Sequence, residues 1–366
     1  MAITVPERGQ HDAGATAPAP APAPDGGRDT AEAVALLGRA RAVVDPALRA
    51  AVDTLPESMR LVSGYHLGWL EADGAPSAVG AGKAIRPALV LAATTAVGGR
   101  PQDAVRAAAA VELVHNFTLL HDDVLDRDHT RRHRPTAWRV FGTTGAILAG
   151  DAMHSLALRV LAEDPHPAAA ASVRRLADCV VELCAGQQAD CSFEQRTDVT
   201  LAECLSMAEG KTGALLGCAC ALGALYAGAD AETADAMDAF GREIGLAFQL
   251  IDDLIGIWGD PAVTGKPVGA DLAARKKSLP VVRALSSGTP AGAELAALYA
   301  TGRPLSPAEL AAAADAVDRA GGRGWAQTES CDRMAAAIAH LAAAVPDPSR
   351  ADDLLALAEL VTRRTY

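Results

Sequence analysis

The sequence predicts an all-α fold, a large helical bundle in a single domain, and three observations predict it. Half of the residues are hydrophobic while aromatics make up only 4%, and alanine, the best helix former, dominates. Glycine and proline break the chain into long apolar stretches, with no strand-period alternation of useful length between them. No fixed-period repeat appears in the 366 residues, so one shared core is simpler than an array of small ones.

Taken in order, residues 1 to about 30 read as a disordered tail. Its Ala17–Pro24 stretch alternates alanine and proline, which forbids helix and favours extended polyproline structure. The helical domain then runs over 31–366. Pro46, Pro56, Pro76 and Pro87 mark early boundaries, and Gly98, Gly99 and Pro101 end one helix. Asp103 to Asp126 contains neither glycine nor proline and is expected to be one long helix, followed by a loop over His129–Pro135. Further helices are expected over Thr144–Glu163, Ala168–Asp190, Leu201–Gly228 and Ala231–Trp258. Leu279–Ser286, Ala291–Ala300, Pro307–Ala320, Gln327–Ala344 and Pro348–Arg364 complete the set. Thr212–Ala229 carries no charge and reaches about the minimum length that spans a bilayer. Its alanines, cysteines and glycines suit close helix packing better than lipid, so it reads as a buried core helix and no membrane span is expected.

Charge and cysteine use narrow the function. With 33 basic and 45 acidic residues the net charge is −12. An acidic chain lacks the basic face that a nucleic-acid backbone demands, although a few local cations or a metal suffice for small phosphates. The seven cysteines are odd in number and form no C-x-x-C pair, which points to reduced thiols in a cytoplasmic protein. Early charges and the lack of an apolar core near the N-terminus argue against a signal peptide.

Two acidic clusters carry the chemistry. Asp122 and Asp126 lie four apart near the end of the long helix, on one face. Like charges at that spacing destabilise a helix unless a cation sits between them. Magnesium suits carboxylate oxygens and keeps positions open for phosphate. Arg131, Arg132 and Arg134 follow at once and offer forked donors for a diphosphate. The second cluster lies within Phe248–Gly256, where Gln249, Asp252 and Asp253 share a face of an otherwise apolar helix. Adjacent carboxylates among leucines and isoleucines are costly without cations. Either cluster alone reads equally well as a solvated helix end; the two together do not. Lys83 and Arg86 stand three apart at a helix start, Lys211 and Thr212 open the glycine-rich helix, and Lys266 and Lys276 flank Asp271. Two metal-binding faces and several cations could hold two diphosphate groups.

From Lys83 to Pro280 these residues resemble the polyprenyl synthetase family, the trans-prenyl diphosphate synthases. The motifs that carry the resemblance are GKAIRP at Gly82, HDDVLDRDHTRRHRPT at His121, GDAM at Gly150, KTG at Lys211, FQLIDD at Phe248 and GKPVGADLAARKKSLP at Gly265. The resemblance implies an isoprenoid synthase bundle around a central cavity, two or three Mg2+ ions per site, a homodimer, and isopentenyl and allylic diphosphates as substrates. It implies that Asp122, Asp126 and Asp252 bind metal, with Asp123 and Asp253 in support. Arg131, Lys211, Lys266 and Gln249 would hold the allylic diphosphate. Lys83, Arg86, His115 and Arg132 would hold isopentenyl diphosphate, and Thr212 and Lys276 would border the reacting region.

The sequence departs from the family pattern twice. Gly256 stands where the second motif usually ends in aspartate, and His133 where a glycine usually follows the paired arginines. Asp252 carries the essential role, so activity is expected to survive, with Asp260 as a substitute through water. A class I terpene cyclase and a silent subunit of a two-chain synthase are the rival readings. The paired Asp252 and Asp253 oppose the first, and the intact cations oppose the second. For product length, Phe117 is five and Thr118 four residues before Asp122. In the family an aromatic at the earlier position alone resembles the twenty-carbon synthases, so geranylgeranyl diphosphate is the expected product.

Overall fold

A computed structural model describes residues 26–77, 82–260, 268–345 and 347–362. Among them the chain is helical almost throughout: α1 (Gly26–Val52), α2 (Glu57–His66), α3 (Ile85–Val97), α4 (Val105–Leu125), α5 (Ala137–Ala162), α6 (Ala169–Phe193), α7 (Leu201–Ala208) and α8 (Ala214–Tyr226). There follow α9 (Ala231–Trp258), the four-residue α10 (Ala270–Ala273), α11 (Leu279–Leu285), α12 (Pro290–Tyr299), α13 (Pro307–Arg319), α14 (Gly322–Ala344) and α15 (Asp352–Thr362). The all-α prediction is borne out.

The bundle is centred on α8. Every residue of that helix except Leu225 is buried, and it packs between α3, α6 and α9. The charge-free stretch is therefore a core helix, as its composition predicts. Small residues let the helices approach closely. A Cβ on Gly245 would come within 2.5 Å of the Gly213 backbone, so α9 crosses the start of α8 backbone to backbone. That crossing fixes α9 a little before it reaches Asp252. One described helix, Ala137–Ala162, is long and apolar enough by length and composition to cross a membrane. It is kinked at Gly142 and packs along α4, with Val140 and Leu148 exposed on its outer face.

Several boundaries differ from the sequence reading. The expected tail over 1–30 falls mostly outside the described residues, and α1 already begins at Gly26. Pro46 lies inside α1 and does not end it. The apolar stripe Val44, Leu48 and Val52 is buried on both sides of the proline, and this packing outweighs one lost backbone hydrogen bond. The long helix begins as a 3-10 turn over Pro101–Ala104 before α4. The helix α5 starts at Ala137, seven residues before the expected Thr144, because the break falls inside it. Gly142 adopts φ 80°, a conformation that glycine alone takes without strain. The helix expected over Leu201–Gly228 is interrupted by a π-helical turn over Glu209–Gly213.

Candidate active site

The first acidic wall is the end of α4. Asp122 is largely buried, and burial, with Asp126 and Asp190 adding repulsion, raises its carboxyl to about 6 against the pull of Lys211 and Arg131. Burial raises Asp126 as well, and Lys211 and Lys276 oppose it. Asp123 points the other way. Its Oδ1 accepts a hydrogen bond from Arg131 Nε at 2.7 Å and pairs with Nη2 of the same guanidinium, also at 2.7 Å, while its buried Oδ2 has no hydrogen-bond partner. Asp123 thus anchors an arginine and does not face the Asp122–Asp126 pair.

The expected loop over His129–Pro135 is a minimal hairpin. Thr130–Arg131 pairs with Arg134–Pro135, and Arg132 and His133 form the turn at φ 51° and 62°. Two positive φ values are what a two-residue hairpin demands, and they explain why glycine suits the position of His133. The turn splits the adjacent arginines: Arg131 goes to Asp123, and Arg132 reaches the Gly82 backbone, where a Cβ would stand 2.5 Å from its Nη2. Replacing His133 with glycine removes the left-handed strain of a residue that carries a Cβ. It is expected to raise stability by about 1 kcal/mol, read as a higher melting temperature, without loss of turnover.

The second wall is the end of α9. Thr212 donates to Gln249 Oε1 at 2.8 Å, and Gln249 Nε2 donates to Asp253 Oδ1 at 2.8 Å. The backbone N–H of Leu279 donates to Asp253 Oδ2, also at 2.8 Å. Asp253 is buried and its carboxyl is pushed up to about 6 by that burial, with Lys276 opposing. Its bond from Leu279 ties α9 to α11, while Gln249 links it to Thr212 of the π turn, leaving Asp252 as the half-exposed carboxylate of the wall. Lys276 joins the two walls. Buried among Asp253, Asp271, Asp190 and Asp252, its ammonium holds its proton more tightly than usual despite desolvation.

Lys211 stands on the π turn, whose extra residue reorients it; such bulges recur at functional sites. Its Nζ is 2.5 Å from Asp190 Oδ2. Gly186, one turn before Asp190 on α6, brings the two elements together, since a Cβ there would lie 2.5 Å from the Lys211 backbone nitrogen. Asp190 is the site residue that sequence reasoning missed. Gln187 and Asp190, three apart within the otherwise small-residue stretch around Cys184–Ser192, were its signal.

At the other end, Arg86 Nη1 lies 3.2 Å from His115 Nε2. Burial, helped by Arg86 and Arg132, pushes the His115 imidazole well below its usual range, so the ring is neutral. Burial lowers the Arg86 guanidinium from its usual range, and Glu112 of the same helix as His115 opposes that shift. Lys83 is exposed beside this group. The structure therefore brings together Arg86, His115 and Arg132 as one cluster, and Asp122, Asp126, Lys211, Gln249, Asp252 and Lys276 as another. Lys266 lies outside the described residues. Thr212 sits on the wall of a cavity of about 450 Å3, which also includes His115, Phe117, Thr118, Asp122 and Lys211. That size suits a small-molecule ligand.

A divalent cation fits this arrangement. The carboxylates of Asp122 and Asp126 are raised by burial and by neighbouring aspartates, Asp190 among them for both, and Lys276 lies between them and Asp252 of the second wall. Among the described residues no three acidic, histidine or cysteine side chains converge closely enough to hold a metal alone. Each wall therefore offers only part of a coordination shell, with oxygens of a bound diphosphate as the natural remainder.

Comparison with known proteins agrees with this geometry. The polyprenyl synthetase family model matches residues 73–317. A geranylgeranyl diphosphate synthase of Mycobacterium tuberculosis is 52% identical over 331 residues, covering 90% of this chain and 93% of its own. A (2E,6E)-farnesyl diphosphate synthase of Mycobacterium bovis is 50% identical over 309 residues, covering 84% of this chain and 86% of its own. The crystal structure of a polyprenyl synthetase from Streptomyces coelicolor superposes with a TM-score of 0.85 at 46% identity, covering 89% of this chain and 98% of that one. A geranylgeranyl pyrophosphate synthase from Corynebacterium glutamicum, complexed with isoprenyl diphosphate and magnesium, superposes with a TM-score of 0.73 at 27% identity, covering 92% of this chain and 99% of that one. Sequence motifs, helical architecture and family match converge: this chain belongs to the polyprenyl synthetase family, and is a trans-prenyltransferase.

Proposed function

We propose that the chain is a magnesium-dependent geranylgeranyl diphosphate synthase, adding isopentenyl diphosphate to a dimethylallyl, geranyl or farnesyl diphosphate starter. The observation that carries the reading is the cavity that begins at Asp122 and Lys211 and reaches Phe117, with the Arg86–His115 cluster beside it. Magnesium held by Asp122, Asp126 and Asp252 would supply Lewis-acid charge to the departing diphosphate. Lys211, Arg131 and Lys266 would hold that diphosphate, with Gln249 placed by Thr212 and Asp253. Arg86, Arg132, Lys83 and neutral His115 would fix the second diphosphate, so that its double bond lies against the reacting carbon. The apolar cavity excludes water from the allylic cation. No side-chain nucleophile is required, and the proton lost at the end goes to the departing diphosphate.

The enzyme is proposed to act in the cytoplasm, in keeping with its seven free cysteines. A homodimer is proposed through α5 and α6, where Leu148 and Val181 are 47% and 71% exposed on neighbouring helices. The test of function combines purified protein, magnesium, isopentenyl diphosphate and each allylic starter, with products sized by chromatography. Twenty-carbon product is expected. Omitting isopentenyl diphosphate should abolish product, whereas a cyclic hydrocarbon from an allylic diphosphate alone would favour a terpene cyclase. Activity only after adding a second protein would favour the silent-subunit reading. The 50% identity to a farnesyl diphosphate synthase supports a second reading, a fifteen-carbon product.

A further inference from the structure

Lys276 works between two walls, so its backbone must be fixed before its side chain can be aimed. Asp253, Asp271, Asp190 and Asp252 all act on its charge. The short α10 ends just before it in a tight reversal. Arg275 N–H donates to the Leu272 carbonyl at 3.0 Å, and Lys276 N–H to the Asp271 carbonyl at 2.9 Å. That pair of bonds closes a helix when the residue after its end turns left-handed, a place usually taken by glycine. Here it is Arg275, at φ 51°. A residue with a Cβ holds that conformation only under strain, and strain persists only where the surroundings impose it.

One distant segment, residues 299–303 at the end of α12, imposes it on three successive residues. Arg275 Nη2 donates to Thr301 Oγ1 at 2.9 Å and also to the Arg303 carbonyl. Tyr299 Oη donates to the Lys276 carbonyl at 3.4 Å. Lys277 Nζ lies 5.3 Å from the centre of the Tyr299 ring. The segment is itself anchored. The Thr301 hydroxyl donates to the Leu298 carbonyl at 2.8 Å, so its oxygen accepts from Arg275 in a fixed direction. Arg303 pairs with Glu309 at 2.6 Å, within the capping box that starts α13. Tyr299 packs against the core cluster of Leu272, Leu295 and Val317.

We propose that Arg275 is a positioning residue, whose tether to residues 299–303 holds the left-handed turn that carries Lys276 into the cleft. It acts on the reaction through Lys276. The proposal rests on the reading of Lys276 as a site residue, and its test separates the two.

The measurements are the melting temperature of the full chain, its kcat, and its KM for isopentenyl diphosphate. Arg275→Ala keeps the Cβ at the strained position and removes the tether. It is expected to lower kcat about tenfold to a hundredfold, the scale of a displaced site group. KM for isopentenyl diphosphate should hold, because the Arg86–His115 cluster is untouched. Arg275→Gly also removes the tether, but glycine takes the left-handed turn unaided, so most of the turnover should return. Arg275→Ala added to Lys276→Met should lower kcat no further than Lys276→Met alone. A lower melting temperature with kcat intact in Arg275→Ala would show a purely structural role and overturn the proposal. So would a glycine variant as slow as the alanine one, or a double variant in which the two losses multiply. Lys276→Met is the control. If it loses turnover while Arg275→Ala keeps it, this proposal alone fails; if both keep it, the reading of Lys276 as a site residue fails as well.

Discussion

Asp252→Ala and Asp122→Ala are each expected to lower turnover about a thousandfold or more, equivalent to about 4 kcal/mol of transition-state stabilisation. Each removes a ligand from one wall of a site whose task is to stabilise charge on a leaving diphosphate. Folding should persist. Among the described residues the Asp122 carboxylate takes part in no hydrogen bond, and burial already raises it to about 6, so its removal relieves a cost. Combining the two substitutions should cost little more than either alone, because one metal assembly needs both walls. Asp253→Ala makes the contrast. It leaves Gln249 and the buried Leu279 N–H without their acceptor, so its first effect is stability, about 1–3 kcal/mol for a lost buried partner. Steady-state kinetics beside thermal melting separates these outcomes. Near-normal turnover in Asp122→Ala or Asp252→Ala would sink the two-wall mechanism.

The difference between Asp252 and Asp253 shows how far the sequence reads. Period and composition place both on one face of α9, and the family motif assigns them unequal roles. Only the fold reveals why: Asp253 is buried and tied to Gln249 and to α11, and Asp252 is half-exposed at the cleft. Helices were legible because alanine-rich stretches are punctuated by glycine and proline, and α9 matches its expected bounds. The misses share a cause. Pro46 inside α1, the π turn at Lys211 and the hairpin at Arg132 are places where packing between distant elements overrides local preference. Asp190 was hidden for the same reason. Asp190 meets Lys211 only because Gly186, one turn earlier on the same helix, lets α6 approach the π turn. A missing side chain is a weak signal in sequence and becomes readable only when its neighbour is known.

Phe117→Ala is expected to lengthen the product beyond twenty carbons. Phe117 is 7% exposed and lines the cavity with Thr118, on the helix that carries Asp122. Its ring packs edge-on against His121 at 5.5 Å between centroids and tilts against His154 of α5 at 5.2 Å. A chain growing from the metal end toward Phe117 meets that ring, which is held in place by its contacts with His121 and His154. Removing the phenyl opens the path by one aromatic side chain, while His154 remains as the next obstacle. The extension should therefore be limited, and Phe117→Ala with His154→Ala should extend it further. Stability must be read alongside, since deleting a buried phenyl ring costs about 3–5 kcal/mol. Phe117→Leu keeps most of the packing and shortens the obstruction, so it should shift the product partway at a smaller cost. An unchanged twenty-carbon product from folded Phe117→Ala would mean that the ring only packs the core and that the floor lies deeper. A graded shift from Phe117→Leu through Phe117→Ala to the double variant would identify the Phe117–His154 contact as the floor that counts the carbons.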